Sequence, residues 1–242
     1  MSEKTYALVT GANKGIGYEI AAGLGALGHV VGVGARNEQR RDDAVAKLRA
    51  AGVDAFGVPL DVTDDASVAA AAELLRERAG RLDVLVNNAG IIADVWPDSP
   101  SVITPAILRS VLDTNVLGVV RVTNAMLPLL RRSAHPRIVN QSSHLGSLTL
   151  QTTPGVEFGP GSGAYTPSKT FVNAITVQYA KELRDTTIKI NISCPGYVAT
   201  DLNGFQGTST PADGAAIAIR LATLPDDGPT GGMFDADGVV PW

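Results

Sequence analysis

Tyr165 and Lys169 stand four residues apart in the segment Ala-Tyr-Thr-Pro-Ser-Lys-Thr, 164–170, at the head of a helix-like run. Residues i and i+4 share one helical face, so the ammonium can reach beneath the phenol. A free tyrosine has a pKa of about 10 and is a poor acid or base at neutral pH. A neighbouring cation favours the phenolate and lowers that pKa, each unit being worth about 1.4 kcal/mol. The spacing therefore predicts a tyrosine tuned for proton transfer. Pro167 falls in the first helical turn, where it is tolerated.

A second group of residues could hold phosphate. The strand-like Tyr6–Thr10 is followed by Gly11-Ala-Asn13-Lys14-Gly15-Ile16-Gly17 and then by a helical pattern from Tyr18 to Leu27. Strand, glycine turn and helix together make a dinucleotide loop, here spaced G-x-x-x-G-x-G. Gly11 permits the tight turn, Gly15 lets backbone approach a phosphate, and Gly17 lets helix pack on strand. The helix N-terminus offers free N–H groups and the positive end of its dipole. The next strand, His29 to Gly34, ends in Ala35-Arg36-Asn37, with no acid to take a ribose 2′-hydroxyl. Arg36 is instead a planar donor for a 2′-phosphate, and Lys14 adds charge. Both point to NADP(H) over NAD(H).

The elements that position these residues alternate without interruption. After Arg36, helix is predicted over 38–51, strand over 55–60, helix from an Asp64 or Asp65 cap to Ala79, and strand over 83–86. A loop over 91–102 leads to a helix start at Thr104-Pro105 and a long helix from about Asn115 to Leu130. Strand 137–140, a loop over 142–163, helix 165–183, strand 189–193, helix 211–222 and a closing strand 233–235 complete the pattern. Such alternation predicts a single α/β domain over 1–242, a doubly wound parallel sheet with helices on both faces. Ligands bind beyond the carboxyl ends of such strands, where every motif named here falls.

Composition narrows the class. The 242 residues are 45% hydrophobic and carry a net charge of −4, with no basic stripe of the kind that binds nucleic acid. The single cysteine, Cys194, excludes an intrachain disulfide and reads as a structural thiol. No apolar leader or membrane-length run occurs, so a soluble, cytoplasmic protein is expected. No metal site is expected.

With the glycine loop, Asn87-Asn88-Ala89-Gly90, Asn115, Ser143, Tyr165/Lys169 and Pro195-Gly196 in that order, the chain resembles a short-chain dehydrogenase/reductase over nearly its whole length. The stretches 194–202, 210–214 and 224–232 resemble the NADPH-using carbonyl reductase branch. The resemblance implies a Rossmann-like fold. It implies that Tyr165 is the proton donor in ketone reduction and that Lys169 lowers its pKa and binds the nicotinamide ribose. It also implies that Ser143 polarises the carbonyl, and that Asn115 holds a helix kink and a water. Ser143 is chosen over Ser142 because the family serine stands three residues before a glycine, here Gly146. Asp61 and Val62 would border adenine, Asn88, Ala89 and Gly90 the ribose and nicotinamide side, and Pro195, Gly196, Val198 and Thr200 the carboxamide.

Trp96, His144, Leu145, Tyr197 and Phe205 are candidate pocket residues. His144 invites a Ser–His triad reading, which the lack of a G-x-S-x-G elbow argues against. The stretch from Ser143 to Tyr165 is longer than in compact family members and shorter than in monomeric carbonyl reductases, leaving monomer and homo-oligomer both open. The leading expectation is reversible NADPH-dependent reduction of an aldehyde or ketone. The alternatives are reduction of an activated C=C bond and a non-catalytic NADP(H)-binding regulator.

Overall fold

Seven short apolar segments form one parallel sheet in the computed structural model, which describes residues 4–93, 98–158 and 162–242. They are β1 (Tyr6–Thr10), β2 (Val30–Ala35), β3 (Ala55–Pro59), β4 (Val84–Asn87), β5 (Arg137–Gln141), β6 (Lys189–Ser193) and β7 (Met233–Phe234), in the order β3-β2-β1-β4-β5-β6-β7. The order reverses between β1 and β4, so a crevice opens at their carboxyl ends. Glycines aside, successive strand residues serve opposite faces. Val9, Val31, Val33 and Val86 pack with Ile20, Leu24, Leu48 and Leu221 on one side. Leu8, Val58, Leu85 and Ile190 pack with Leu75, Met126, Leu130 and Leu183 on the other.

The helices are α1 (Gly15–Ala26), α2 (Glu38–Ala50), α3 (Asp65–Ala79), α4 (Pro105–Leu112), α5 (Gly118–Leu130), α6 (Leu148–Thr152), α7 (Tyr165–Glu182) and α8 (Pro211–Ala222). Most start on a side-chain cap. Asp64 accepts from Ala66 N and Ser67 N, Thr104 from Ile107 N, and Thr210 from Asp213 N. Helix α1 differs. Lys14 precedes it in extended backbone with no side-chain cap, and its first turn holds no acid. The leading N–H groups of α1 thus lack the side-chain acceptor that α2, α3, α4, α6 and α8 carry.

Three expectations change. Helix α1 begins at Gly15, not Tyr18, because the positive φ of Gly15 (56°) turns the chain directly into the helix. The helix expected from Asn115 is α5 preceded by a π turn, Asp113–Leu117, that joins it to α4. The expected loop over 142–163 contains a 3-10 turn (His144–Gly146) and α6, because Ser143 Oγ accepts from Leu145 N and Ser147 Oγ from Leu150 N. Of the pocket candidates, Trp96 lies outside the described residues.

Candidate active site

The glycine turn sits at the head of the crevice. Gly11 and Gly15 have φ of 66° and 56°, a region open to glycine. A Cβ on Gly17 would lie 2.4 Å from Asn88 Nδ2 and 2.5 Å from Gly11 O, so α1 and the end of β4 meet only because it has none. Asn88 Nδ2 donates to Thr10 O at 2.9 Å, and the N–H groups of Asn88 and Ala89 both donate to Thr10 Oγ1 at 3.0 Å. These bonds tie β4's exit to β1's.

Beside the turn lies a cavity of about 380 Å³ walled by Asn13, Lys14, Gly15, Arg40 and Lys47, among others. Lys14 reaches Asp201 Oδ2 at 2.8 Å. Arg40 escaped sequence reasoning. Its signal was its place one turn into a helix capped by Asn37, whose side chain accepts from Arg40 N. Arg36 is exposed and does not wall this cavity. Its charge instead helps hold the Asp61 carboxyl below its ordinary value, after the dominant hydrogen bond from Thr63 N. Val62 is buried directly after Asp61.

Tyr165 opens α7. Ser162 replaces a conventional cap, accepting from Tyr165 N (3.0 Å) while donating to Asp98 Oδ2 (2.5 Å). Burial pushes the Tyr165 phenol up to about 12, against the pull of its hydrogen bond with Ser143. Lys169 lies 5.5 Å from the centre of the Tyr165 ring and donates to Gln141 O at 2.8 Å. Burial lowers the Lys169 ammonium to about 8. The expected lowering of the tyrosine is thus reversed in the protein alone: burial outweighs the pull of Ser143, while Lys169 directs its proton to the Gln141 carbonyl.

The two neighbouring serines have different surroundings. Ser142 is buried, its Oγ donating to Asn173 Oδ1 at 2.7 Å. Ser143 is half-buried and faces the Tyr165 phenol. Asn173 is a second residue that sequence reasoning missed. It also donates to Gly146 O at 3.0 Å, holding the serine turn on α7. The only signal was a polar residue one turn beyond Lys169.

Asn115 is fixed by the π turn. Its side chain accepts from Ile91 N (2.8 Å) and donates to Ile91 O (2.9 Å) and Ser168 Oγ (3.0 Å). Asn115 Oδ1 and Lys169 Nζ converge on Gly90, where a Cβ would stand 3.4 and 3.7 Å from them.

A family model described as short chain dehydrogenase matches residues 5–210. The chain belongs to the short-chain dehydrogenase/reductase family. Short-chain dehydrogenase/reductase 1 of Saponaria officinalis is 33% identical, over 100% of this chain and 97% of its own. Carbonyl reductase [NADPH] 1 of Mus musculus is 34% identical, over 100% and 99%. An NADPH-bound carbonyl reductase from chicken fatty liver superposes with a TM-score of 0.85 at 29% identity, covering 100% of both chains.

This short-chain dehydrogenase carries its remaining candidates on the segment after β6. Gly196 turns at φ 82°, Val198 is buried, and Thr200 lies over Gly15, 3.6 Å from where its Cβ would be. Pro195 precedes the turn, and Tyr197 and Phe205 are exposed, Phe205 at a φ of 62°. His144 and Leu145 are half-buried beside Ser143. Among the described residues no helix is long and apolar enough to cross a membrane, and no acid, histidine and cysteine group could hold a metal.

Proposed function

We propose that this chain is an NADPH-dependent carbonyl reductase, reducing an aldehyde or ketone to an alcohol and running in reverse on alcohols. The observation that carries the reading is the convergence of the Ser143 and Tyr165 hydroxyls, with Lys169 Nζ 5.5 Å from the centre of the phenol ring. The single domain over residues 1–242 would hold both cofactor and substrate.

The chain's own residues fit the cofactor. The start of α1 has no side-chain cap and no first-turn acid, so its N–H groups can take the pyrophosphate. Lys14 and Arg40 wall the adjoining cavity, suited to a 2′-phosphate, with Arg36 near Asp61 at its approach. Gly11, Asn13, Gly15, Ile16 and Gly17 would form the phosphate turn, Asp61 and Val62 the adenine edge, and Asn88, Ala89 and Gly90 the ribose side. Pro195, Gly196, Val198 and Thr200 would hold the carboxamide. When bound, the nicotinamide supplies the hydride.

The protein supplies orientation and the proton. Two hydroxyls gripping one oxygen fix the carbonyl and stabilise charge developing on it. A phenol pushed up to about 12 is fully protonated at neutral pH, ready to donate to an alkoxide. Lys169, lowered to about 8, is poised to pass a proton near neutral pH. Asn115 and Gly90 bound the space beside its ammonium, where a water would link it to solvent.

The test is consumption of NADPH and NADH by wild type and Tyr165→Phe over aldehydes, aryl ketones, diketones, quinones and enones, with products identified. Carbonyl-dependent loss of NADPH, weak with NADH, should fall about 10²–10⁴-fold in the variant, with cofactor affinity retained. Saturated ketones from enones alone would replace this reading with C=C reduction. Cofactor binding without any turnover would replace it with a regulatory one.

A further inference from the structure

The turn that carries Ser143 is fastened at a place the reaction does not itself require. His144 Nε2 lies 2.8 Å from Asp235 Oδ2, and both side chains are largely enclosed, at 28% and 20% exposure. Asp235 follows β7 and is itself immobilised. Its Oδ1 accepts from Asp237 N and Gly238 N, each at 2.9 Å, and its backbone carbonyl accepts from Arg220 Nη2 at 2.8 Å. The next residues of the turn are seated on α7. A Cβ on Gly146 would stand 2.8 Å from the Lys169 carbonyl carbon, and Gly146 N donates to Ser143 O at 2.8 Å.

The turn limits where the Ser143 hydrogen can point. Ser143 Oγ accepts from Leu145 N at 3.2 Å. With one acceptor site held by Leu145 N, the hydroxyl hydrogen is limited to the two remaining directions. If the turn swings away, Leu145 N leaves and that limit is lost.

We propose that His144, held by Asp235, is a positioning residue for Ser143: the pair pins the 144–146 turn to the end of β7 and so aims the serine hydroxyl at the substrate carbonyl. This rests on the carbonyl reductase reading. The contact needs an N–H donor at the Nε2 position. Glutamine places its own Nε2 donor at similar reach. Leucine fills similar space with no donor.

The experiment compares wild type, His144→Leu and His144→Gln. The readouts are kcat and KM with a ketone that wild type reduces, NADPH affinity, the pH profile, and hydrogen exchange at Leu145 and Gly146. The expected result is a loss of about tenfold in kcat for His144→Leu, the scale of a small misplacement of a reacting group. NADPH affinity should stay unchanged and exchange of the two amides should speed up. His144→Gln should restore both rate and protection, with the wild-type pH profile. Equal rates and protection in wild type and His144→Leu overturn the proposal. So does a His144→Gln variant as slow as His144→Leu with an altered pH profile, which would make the imidazole an acid or base in its own right. A wild type that turns over no carbonyl would sink the functional reading, while exchange would still report whether the pair holds the turn.

Discussion

The two sides of the cleft are built by opposite means. On the cofactor side the design is subtraction: Gly17 has no Cβ where one would meet Asn88 and Gly11, and α1 starts without a cap. On the proposed reading, backbone N–H groups would take the pyrophosphate, with the Lys14 and Arg40 side chains beside them. On the substrate side the design is addition. Leu148, Tyr197, Leu202 and Phe205 stand exposed on segments that follow β5 and β6, and Phe205 tolerates a left-handed φ of 62°. Those segments cap themselves: Thr200 and Asn203 form a reciprocal box, and Ser147 caps α6. On the proposed reading, cofactor recognition would rest largely on what the main chain leaves open. On the same reading, substrate choice would fall to exposed side chains that can change without disturbing the core.

The largest expected effects lie where the two sides meet. Ser143→Ala should lower kcat/KM by about 10²–10³, as for loss of one oxyanion donor, with at most about 1 kcal/mol of stability lost with its bond from Leu145 N. Ser142→Ala should do the reverse, costing about 1–3 kcal/mol of stability by orphaning buried Asn173 while Michaelis kinetics change less. Steady-state kinetics and urea unfolding on both variants would check the contrast, and a Ser142→Ala rate loss matching that of Ser143→Ala would break it.

Lys169→Met should show a stability gap that closes with pH. The folded pKa of Lys169 is about 8, below its ordinary 10.5. The unfolded chain therefore binds more protons between those values, and wild-type stability rises with pH through that window. The advantage of the methionine should shrink by on the order of 3 kcal/mol between pH 8 and 10.5. Urea unfolding of the pair at three pH values measures it.

Gly17→Ala should lower stability by about 1–3 kcal/mol through overpacking and weaken NADPH binding with it, read by thermal melting and cofactor titration. Phe205→Gly should show the mirror image: a gain of up to about 1 kcal/mol from relieved backbone strain, with a changed KM for bulky ketones. A Phe205→Gly that melts lower, or a Gly17→Ala that melts unchanged, would contradict the division between the two sides.

The sheet was legible because its strands are bounded apolar runs and its helices carry caps; α8 over Pro211–Ala222 and β6 over Lys189–Ser193 match their sequence reading to the residue. Local signals sufficed there. They failed where tertiary contacts set the conformation. The π turn at Asn115 is tied to Ile91, 24 residues away, and the 3-10 turn after Ser143, though locally capped, also meets Asn173 and Asp235 from distant elements. The Tyr–Lys spacing was visible, but the charge state was not. Burial is a property of the whole cleft, and it turned the expected direction of the tyrosine shift around. Arg40 was overlooked because only the fold sets it against Lys14.

The π turn over Asp113–Leu117 carries a consequence for how this chain can change. A turn closed from Gly118 N to Asp113 O holds one residue more than an α-helical turn would. It is arithmetically an insertion, lodged between α4 and α5. Removing a single residue there would let the two helices run on as one regular rod, a change that local energetics favours. The same deletion would rotate Asn115 by about a quarter-turn or more of helix, off Ile91 and Ser168. The irregularity is a standing choice of site geometry over helix regularity, and length variation in this stretch is the change that the cleft is least able to absorb.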